Sequence, residues 1–429
     1  MLAFIYASIY ASQPKEWDKF KAQQGKDARD QLLQRVSREV QSRGTLDVLR
    51  RGVKANGCAF KLAYFRPSST LNADLRTLYE ANVFSVVRQL HYHQKSTPAD
   101  VPDNESKDSL DLALFLNGLP LLTAELKNPL TSGWTVQTAI EQYRQDRDPA
   151  EPLFAFGRCL AHFAVDPDLV YMTTHLRGPA TIFLPFNKGN EEGAGNPPSW
   201  RGFATAYLWE EVWARDSVLD LAQNFVQTVE EEDDEGRKTG RQRLIFPRYH
   251  QLDAVRRLVA EARAVGVGQR YLIQHSAGSG KSNTISWLAH QLSALHDDAD
   301  ERVFDSIIVV SDRRVLDRQL QAAVRQFERT LGVVENIDES SRQLKDALED
   351  GKTIIVTILQ KFPVIVDQMG ALPGRRFAVI IDEAHSSQSG EGATSLKKVL
   401  AAATLEEAER EDGGDGEDME DRIAAEAAR

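Results

Sequence analysis

Apolar and polar positions change their period along this chain, and the changes divide it. Residues 1–12 are nearly all apolar or small and lack a basic lead, which reads as a buried first helix rather than a cleaved leader. Residues 15–49 carry apolar side chains at helical spacing among charges, so a helix is expected there. The pattern then turns strand-like. Residues 82–90 form one predicted strand, and the apolar runs 110–116 and 121–126 flank Asn117-Gly118, the pair best suited to the positive φ angles of a tight hairpin turn. A helix is expected over 136–147, ending before Pro149, and 187–198 is a loop by composition. Residues 203–229 connect onward, helical in part, and the acidic run with the glycines after it reads as a linker. From residue 245, β-rich runs at 270–273, 306–310, 353–357 and 377–381 alternate with helical stretches, which predicts a parallel sheet with helices on both faces. The expected domains are 1–200, a connecting segment and linker over 201–240, an α/β lobe over 241–404, and an acidic tail without fixed structure over 405–429.

Composition adjusts this picture in four ways. With 429 residues, 42% of them hydrophobic, the chain can bury two sizeable cores. Its two cysteines, Cys58 and Cys159, lie far apart without metal-like spacing, which suits a reducing cytoplasmic setting. No apolar run is long enough to span a membrane. The net charge of −11 weighs against a nucleic-acid partner only at first sight. Residues 230–235 (EEEDDE) and the tail 405–429 hold the acidic excess, and without them the remainder carries +3. A DNA-facing surface on that remainder stays open.

Two segments in the second half carry nucleotide chemistry. His275-Ser276-Ala277-Gly278-Ser279-Gly280-Lys281-Ser282 stands between an apolar run and a helical stretch, the context of a phosphate-binding loop. Gly278 and Gly280 let backbone N–H groups close around phosphate oxygens, Lys281 would neutralise the β- and γ-phosphates, and the Ser282 hydroxyl would face Mg²⁺. The first position of the strict pattern, usually glycine, is His275. About a hundred residues on, the apolar run 379–381 ends in Asp382-Glu383-Ala384-His385. Acids at the C-terminal edge of a parallel sheet stand where ligands bind in such folds. Asp382 would hold Mg²⁺ through water, and Glu383 would orient or deprotonate the attacking water. Upstream, Arg248 and Gln251 precede the loop by about one helix. The Gln251 amide could read an adenine edge, and a helix-capping role for it is equally open.

A second set of chemistry-bearing residues sits in the hairpin. Asp111 opens its first strand, and Glu125 and Lys127 lie two apart in its second, so both project from one face with Leu126 in the core. Asp111 and Glu125 can then converge on one divalent metal beside the lysine, an arrangement suited to phosphodiester hydrolysis. By itself this spacing is weak, and a hairpin with a charged solvent face competes with it.

These motifs together carry a resemblance. The phosphate loop, the DEAH run and the segments 311–314 (SDRR) and 353–360 (TIIVTILQ) resemble superfamily 2 helicases and translocases with RecA-like lobes, in which the latter two segments touch the nucleic-acid backbone. The hairpin 111–129, with 79–90, 183–197, 274–282 and 382–390, resembles the motor (R) subunits of type I restriction endonucleases, and the likeness covers nearly the whole chain. It implies an α/β chain in which a PD-(D/E)xK nuclease domain precedes a RecA-like P-loop lobe. Asp111, Glu125 and Lys127 would then be the cleavage residues, with Asp111 and Glu125 holding Mg²⁺. ATP hydrolysis at the phosphate loop would drive translocation of double-stranded DNA, and modification and specificity subunits would be partners. Where the family has Gln-x-x-x-Tyr, this chain has Gln142 followed by Asp146, with Tyr143 beside the glutamine. The family's first nuclease helix is expected upstream of Met1, and its second motor lobe has no counterpart after the DEAH run. The isolated chain is therefore expected to be inactive as a motor. A nuclease–translocase of DNA repair and a remnant that only binds nucleotide are the rival readings.

Overall fold

The computed structural model describes residues 2–67, 71–92, 109–129, 133–191, 193–200, 202–232, 237–311, 314–328, 332–338, 340–365 and 375–383. The chain divides into two compact units, 1–257 and 258–429. Among the described residues no helix is long and apolar enough to cross a membrane, and both cysteines are buried free thiols.

The first unit opens with three helices, α1 (Leu2–Ser12), α2 (Pro14–Gln24) and α3 (Ala28–Arg51). Ile5 and Ile9 of α1, Trp17 and Phe20 of α2, and Leu32, Val36 and Val40 of α3 are buried, so the expected apolar stripe is the packing face. A short hairpin, β1 (Val53–Ala55) and β2 (Cys58–Phe60), and helix α4 (Ala73–Glu80) lead into the main sheet.

That sheet has six strands in sequence order: β3 (Phe84–His91), β4 (Ser109–Leu116), β5 (Leu119–Leu126), β6 (Ala161–Val165), β7 (Val170–Thr173) and β8 (Leu184–Pro185). Its pairings are antiparallel except β5 with β6. A parallel pair needs a crossover, supplied here by helix α5 (Val136–Gln145). Val136, Ala139, Ile140 and Tyr143 recur on the face of α5 that is buried. The helix packs on the sheet through Ala164, Leu110 and Phe115. The predicted helix reaches to 147; in the structure it stops at Gln145, with Asp146 as its cap.

The turn between β4 and β5 follows the sequence expectation, with Asn117 at φ 48° and Gly118 at φ 86°. The Asn117 side chain is also buried. Its Oδ1 accepts from the Val83 N–H at 2.7 Å, and its Nδ2 donates to the Leu62 carbonyl at 2.9 Å and to Asn82 Oδ1 at 3.0 Å. One residue thus closes the hairpin and fastens it to the chain entering β3.

Beyond the sheet, short π-helical turns at Leu208–Val212 and Leu221–Phe225 flank helix α6 (Arg215–Asp220). The expected linker is different in kind. β9 (Gln227–Glu232) and β10 (Lys238–Ile245) pair antiparallel across it. Lys238 meets Glu230 at 3.2 Å across the pair, and residues 233–235 of the acidic run lie outside the described residues. Opposite charges on facing strands permit pairing where composition alone suggests a solvated loop. Helix α7 (Tyr249–Val265) follows.

The second unit contains a four-stranded parallel sheet in the order β12 (Val334–Asn336), β13 (Ile354–Ile358), β11 (Ser306–Ser311), β14 (Phe377–Ile381). Helix α8 (Lys281–Ser293) leads into β11, and helices α9 (Arg314–Gln326) and α10 (Ser341–Glu349) occupy the connections β11–β12 and β12–β13. β11 and β13 are buried along their whole length, as continuous apolar runs between helical layers should be. The α/β class is thus as the alternation predicts. One predicted strand is absent: residues 270–273 join no sheet among the described residues, and Leu272 is 77% exposed. A four-residue apolar run specifies no neighbour by itself, and pairing depends on which strand edge the tertiary fold presents. β12, conversely, is too short to show in the sequence pattern.

Two stability predictions follow from the first unit. Asn117→Gly keeps the turn conformation but removes three side-chain hydrogen bonds, to Val83 and Asn82 before β3 and to Leu62 after β2; denaturant melts should show a loss of about 1–3 kcal/mol. The second concerns His162, whose Nδ1 lies 2.7 Å from Thr123 Oγ1, itself 2.9 Å from the Tyr143 hydroxyl. Burial, aided by nearby His175, lowers the His162 pKa to about 3. Between its ordinary value near 6.5 and about 3, the unfolded chain binds a proton that the folded chain refuses. Stability should therefore fall as pH drops through this window, by up to about 1.4 kcal/mol per pH unit from this residue. Unfolding of His162→Gln should show a correspondingly shallower pH slope than the parent chain, and equal slopes would refute the assignment.

Candidate nuclease and nucleotide sites

The sheet register brings the hairpin carboxylates together. Leu112 pairs with Ala124, so Asp111 stands at the position opposite Glu125 on the same face. Asp111 Oδ2 accepts the Leu126 N–H at 2.8 Å, and Lys127 Nζ lies 4.0 Å from the same oxygen. The Lys127 ammonium also sits 5.4 Å from the centre of the Trp134 ring. One sequence expectation is reversed. Glu125 is fully buried, whereas Leu126 is 37% exposed. The face that carries Asp111 and Glu125 is the one α5 covers, so at the end of β5 the apolar residue turns outward.

A carboxylate at 0% exposure needs a compensating charge. Arg147, just past α5, supplies it: Nε and Nη2 reach Glu125 Oε1 at 2.8 and 2.6 Å. Burial nevertheless dominates, and with a push from Asp111 it raises Glu125 to about 8 against the pull of Arg147. Glu125 Oε2 is buried and has no hydrogen-bond partner among the described residues. A buried carboxylate oxygen left bare beside a second carboxylate and a lysine fits a divalent cation, whose charge would offset the cost of its burial.

The sequence reading missed two members of this cluster. Arg147 lies beyond the helix in a polar run, with no local signal of its role. Gln89 donates from Nε2 to Asp111 Oδ1 at 2.9 Å, from a backbone at φ 50° that is unusual for a non-glycine residue. Its signal was available, since an amide within a strand that pairs with the strand of Asp111 is placed to meet that carboxylate. Of the residues at the Gln-x-x-x-Tyr position, Tyr143 is buried in the core, and Gln142 Oε1 is buried without a partner among the described residues.

In the second unit, Gly278 and Gly280 adopt φ of 72° and 87°, and Gly280 is the N-terminal cap of α8. This left-handed backbone needs glycine and aims the start of α8 at the loop. His275 Nδ1 lies 2.9 Å from Ser279 Oγ, which ties the first and fifth residues of the loop. Ser276 and Ala277 are exposed, and the Ser282 carbonyl accepts from Ser286. Lys281 Nζ is 2.8 Å from Asp382 Oδ1 and also bonds Glu383. Burial pulls the Lys281 pKa down, and hydrogen bonds to the two acids more than offset this, so the net shift is upward. Asp382 is held at the end of β14 by its N–H bond to the Val310 carbonyl, at 2.8 Å. Glu383 has φ of 54°, a strained conformation at the sheet edge. A cation already balanced by two acids, beside a loop of positive-φ glycines and a serine hydroxyl, is a donor set that suits a nucleotide phosphate with its divalent ion.

Gln251, in the first unit, accepts the Arg248 N–H at 2.9 Å through Oε1, which is the capping geometry left open above. Ala384 and His385, and residues 312 and 313 of the SDRR segment, lie outside the described residues. So does the tail.

Two segments of the chain match known families. Residues 10–181 match the family described as type I restriction enzyme R protein N terminus, and residues 250–405 match the SWI2/SNF2 ATPase family. A protein of Methanocaldococcus jannaschii, named as the MjaVIIIP type I restriction enzyme endonuclease subunit, is 27% identical over 353 residues, 76% of this chain and 31% of that protein. The type I restriction enzyme HindI endonuclease subunit of Haemophilus influenzae is 26% identical over 329 residues, 72% of this chain and 28% of that protein. The chain thus spans less than a third of these relatives. A fragment structure of an HsdR subunit from Vibrio vulnificus aligns over 73% of this chain and 48% of its own at 17% identity, with a TM-score of 0.27. Both segments are matched in this order, and together the matches support a likeness to the N-terminal region of type I restriction enzyme R subunits.

Proposed function

We propose that this chain supplies the DNA-cleaving and ATP-binding parts of a type I restriction enzyme. Hydrolysis of ATP drives translocation along double-stranded DNA, and the hairpin site cuts the phosphodiester backbone in a magnesium-dependent step. The observation that carries the reading is the Asp111–Glu125–Lys127 cluster, found inside a segment that matches the R-protein N-terminal family. The SWI2/SNF2 match over the phosphate loop supports the motor.

Each residue then has a chemical task. Asp111 and Glu125 bind the divalent ion, which when present lowers the pKa of water and offsets charge on the phosphate. Lys127 faces the scissile phosphate or the attacking water. Gln89 and the Leu126 N–H orient Asp111. In the second unit, Lys281 exchanges its two acidic partners for nucleotide phosphates, Ser282 and Asp382 hold Mg²⁺, and Glu383 orients the water. The loop residues 275–280 wrap the phosphates. The domain roles are nuclease for residues 1–200 and motor lobe for 241–404. The chain works in the cytoplasm with modification and specificity subunits, which supply site recognition.

The test uses the assembled enzyme on DNA carrying its recognition site. Glu125→Gln should abolish cleavage, at least 10³-fold in rate, while ATP hydrolysis stays within about twofold of the parent. Lys281→Ala should remove ATP hydrolysis and cleavage together, because the lost contact stabilises charge in phosphoryl transfer. Cleavage surviving in Glu125→Gln would remove the hairpin assignment, and cleavage surviving in Lys281→Ala would uncouple the two sites. A repair nuclease–translocase would cut without the modification and specificity subunits.

A further inference from the structure

Arg147 lies two residues past α5, and its side chain has no exposure to solvent. A guanidinium taken wholly out of water must find partners for its N–H groups. Arg147 finds them on three chain segments. Nε donates to Glu125 Oε1 at 2.8 Å, Nη2 lies 2.6 Å from the same oxygen as an ion pair and donates to the Ser109 carbonyl at 2.7 Å, and Nη1 reaches the Tyr92 hydroxyl at 3.3 Å. The carbonyl belongs to the first residue of β4, the hydroxyl to the residue following β3, and the carboxylate to the C-terminal part of β5. The guanidinium carbon is also 5.7 Å from the centre of the Tyr92 ring.

This bonding is lopsided at Glu125. Arg147 brings Nε and Nη2 both to Oε1, one as a hydrogen bond and one as an ion pair, whereas Oε2 is buried without a hydrogen bond among the described residues. A guanidinium present only to neutralise a buried carboxylate would be expected to bridge both oxygens in the forked geometry that such pairs favour. Here one oxygen is anchored and the other is left bare.

We propose that Arg147 is a positioning residue for the nuclease site: by taking Oε1 of Glu125 and fastening it to Ser109 and Tyr92, it fixes the carboxylate with Oε2 free as a ligand for a divalent cation shared with Asp111. The inference rests on the nuclease reading of the hairpin. It assigns Arg147 no contact with DNA or with the ion. Its function lies outside the Asp111–Glu125–Lys127 motif and comes from the turn after α5, which the parallel crossover delivers to the end of β5. Lysine cannot replace it, since a single ammonium cannot reach a carboxylate, a carbonyl and a hydroxyl on three segments with the same fork.

The test is Mn²⁺ binding to the whole chain without nucleotide, at one pH, followed by electron paramagnetic resonance of the free ion. The parent chain should bind Mn²⁺ at a site that Asp111→Asn removes. Arg147→Lys should stay folded, with an unfolding midpoint close to the parent, and bind Mn²⁺ at least tenfold more weakly, the usual consequence of losing a residue that orients a metal ligand. Arg147→Met should weaken binding further if it folds. A folded Arg147→Lys chain with affinity within twofold of the parent overturns the proposal. So does failure of the lysine chain to fold, which would make Arg147 a structural pin. If the parent shows no Mn²⁺ site sensitive to Asp111→Asn, the nuclease reading itself fails.

Discussion

The first unit is organised around a carboxylate that has no access to water. Glu125 is placed where β5 runs beneath α5, and burying its charge is costly unless a partner is present. Much of the surrounding structure serves that requirement. The β5–α5–β6 crossover carries the chain over the sheet and returns Arg147 to the end of β5. The register of the Asn117-Gly118 hairpin sets Asp111 opposite Glu125, and the Asn117 side chain fixes that hairpin against the start of β3. Slippage by one residue would turn the pair to opposite faces and separate them. Cluster geometry and sheet register are therefore the same constraint.

The second unit meets a related electrostatic problem with the opposite sign. Lys281 projects from the first turn of α8, and Asp382 and Glu383 from the end of β14 are its partners. The lysine balances the acids. Parallel strands make this possible, because β11 and β14 end at the same edge of the sheet and leave the acids there. Strain at Glu383 and at Gln89 falls beside the two sites, as backbone held out of its preferred wells tends to do.

Much of this was legible in the sequence, for local reasons. The hairpin was read from Asn117-Gly118 between apolar runs, and three of the four predicted strands of the second unit were read from β-rich stretches between helices. These signals are carried by adjacent residues. The run at 270–273 had the same composition and is not a strand, because pairing needs a neighbour's edge. The acidic run that begins at Glu230 has the composition of a linker, yet its first residues lie in β9, which pairs with β10 and meets it in the ion pair Lys238–Glu230. Gln251 was open between two uses, and its bond to the Arg248 N–H is the capping one.

What the sequence by itself determined is the set of chemistry-bearing residues and their order: two carboxylates and a lysine in one hairpin, then a glycine-rich phosphate loop, then a pair of acids after an apolar strand. Spacing and turn chemistry suffice for that, since they act within a few residues. Only the tertiary structure decided that Glu125 is buried while Leu126 is exposed, because the face covered by α5 is not encoded in the alternation of β5. It also decided that Arg147 belongs to the cluster, since it reaches Glu125 through a contact about 22 residues away in sequence. Packing over such separations is fixed by the whole sheet and its crossover helix, and no local pattern of residues can report it.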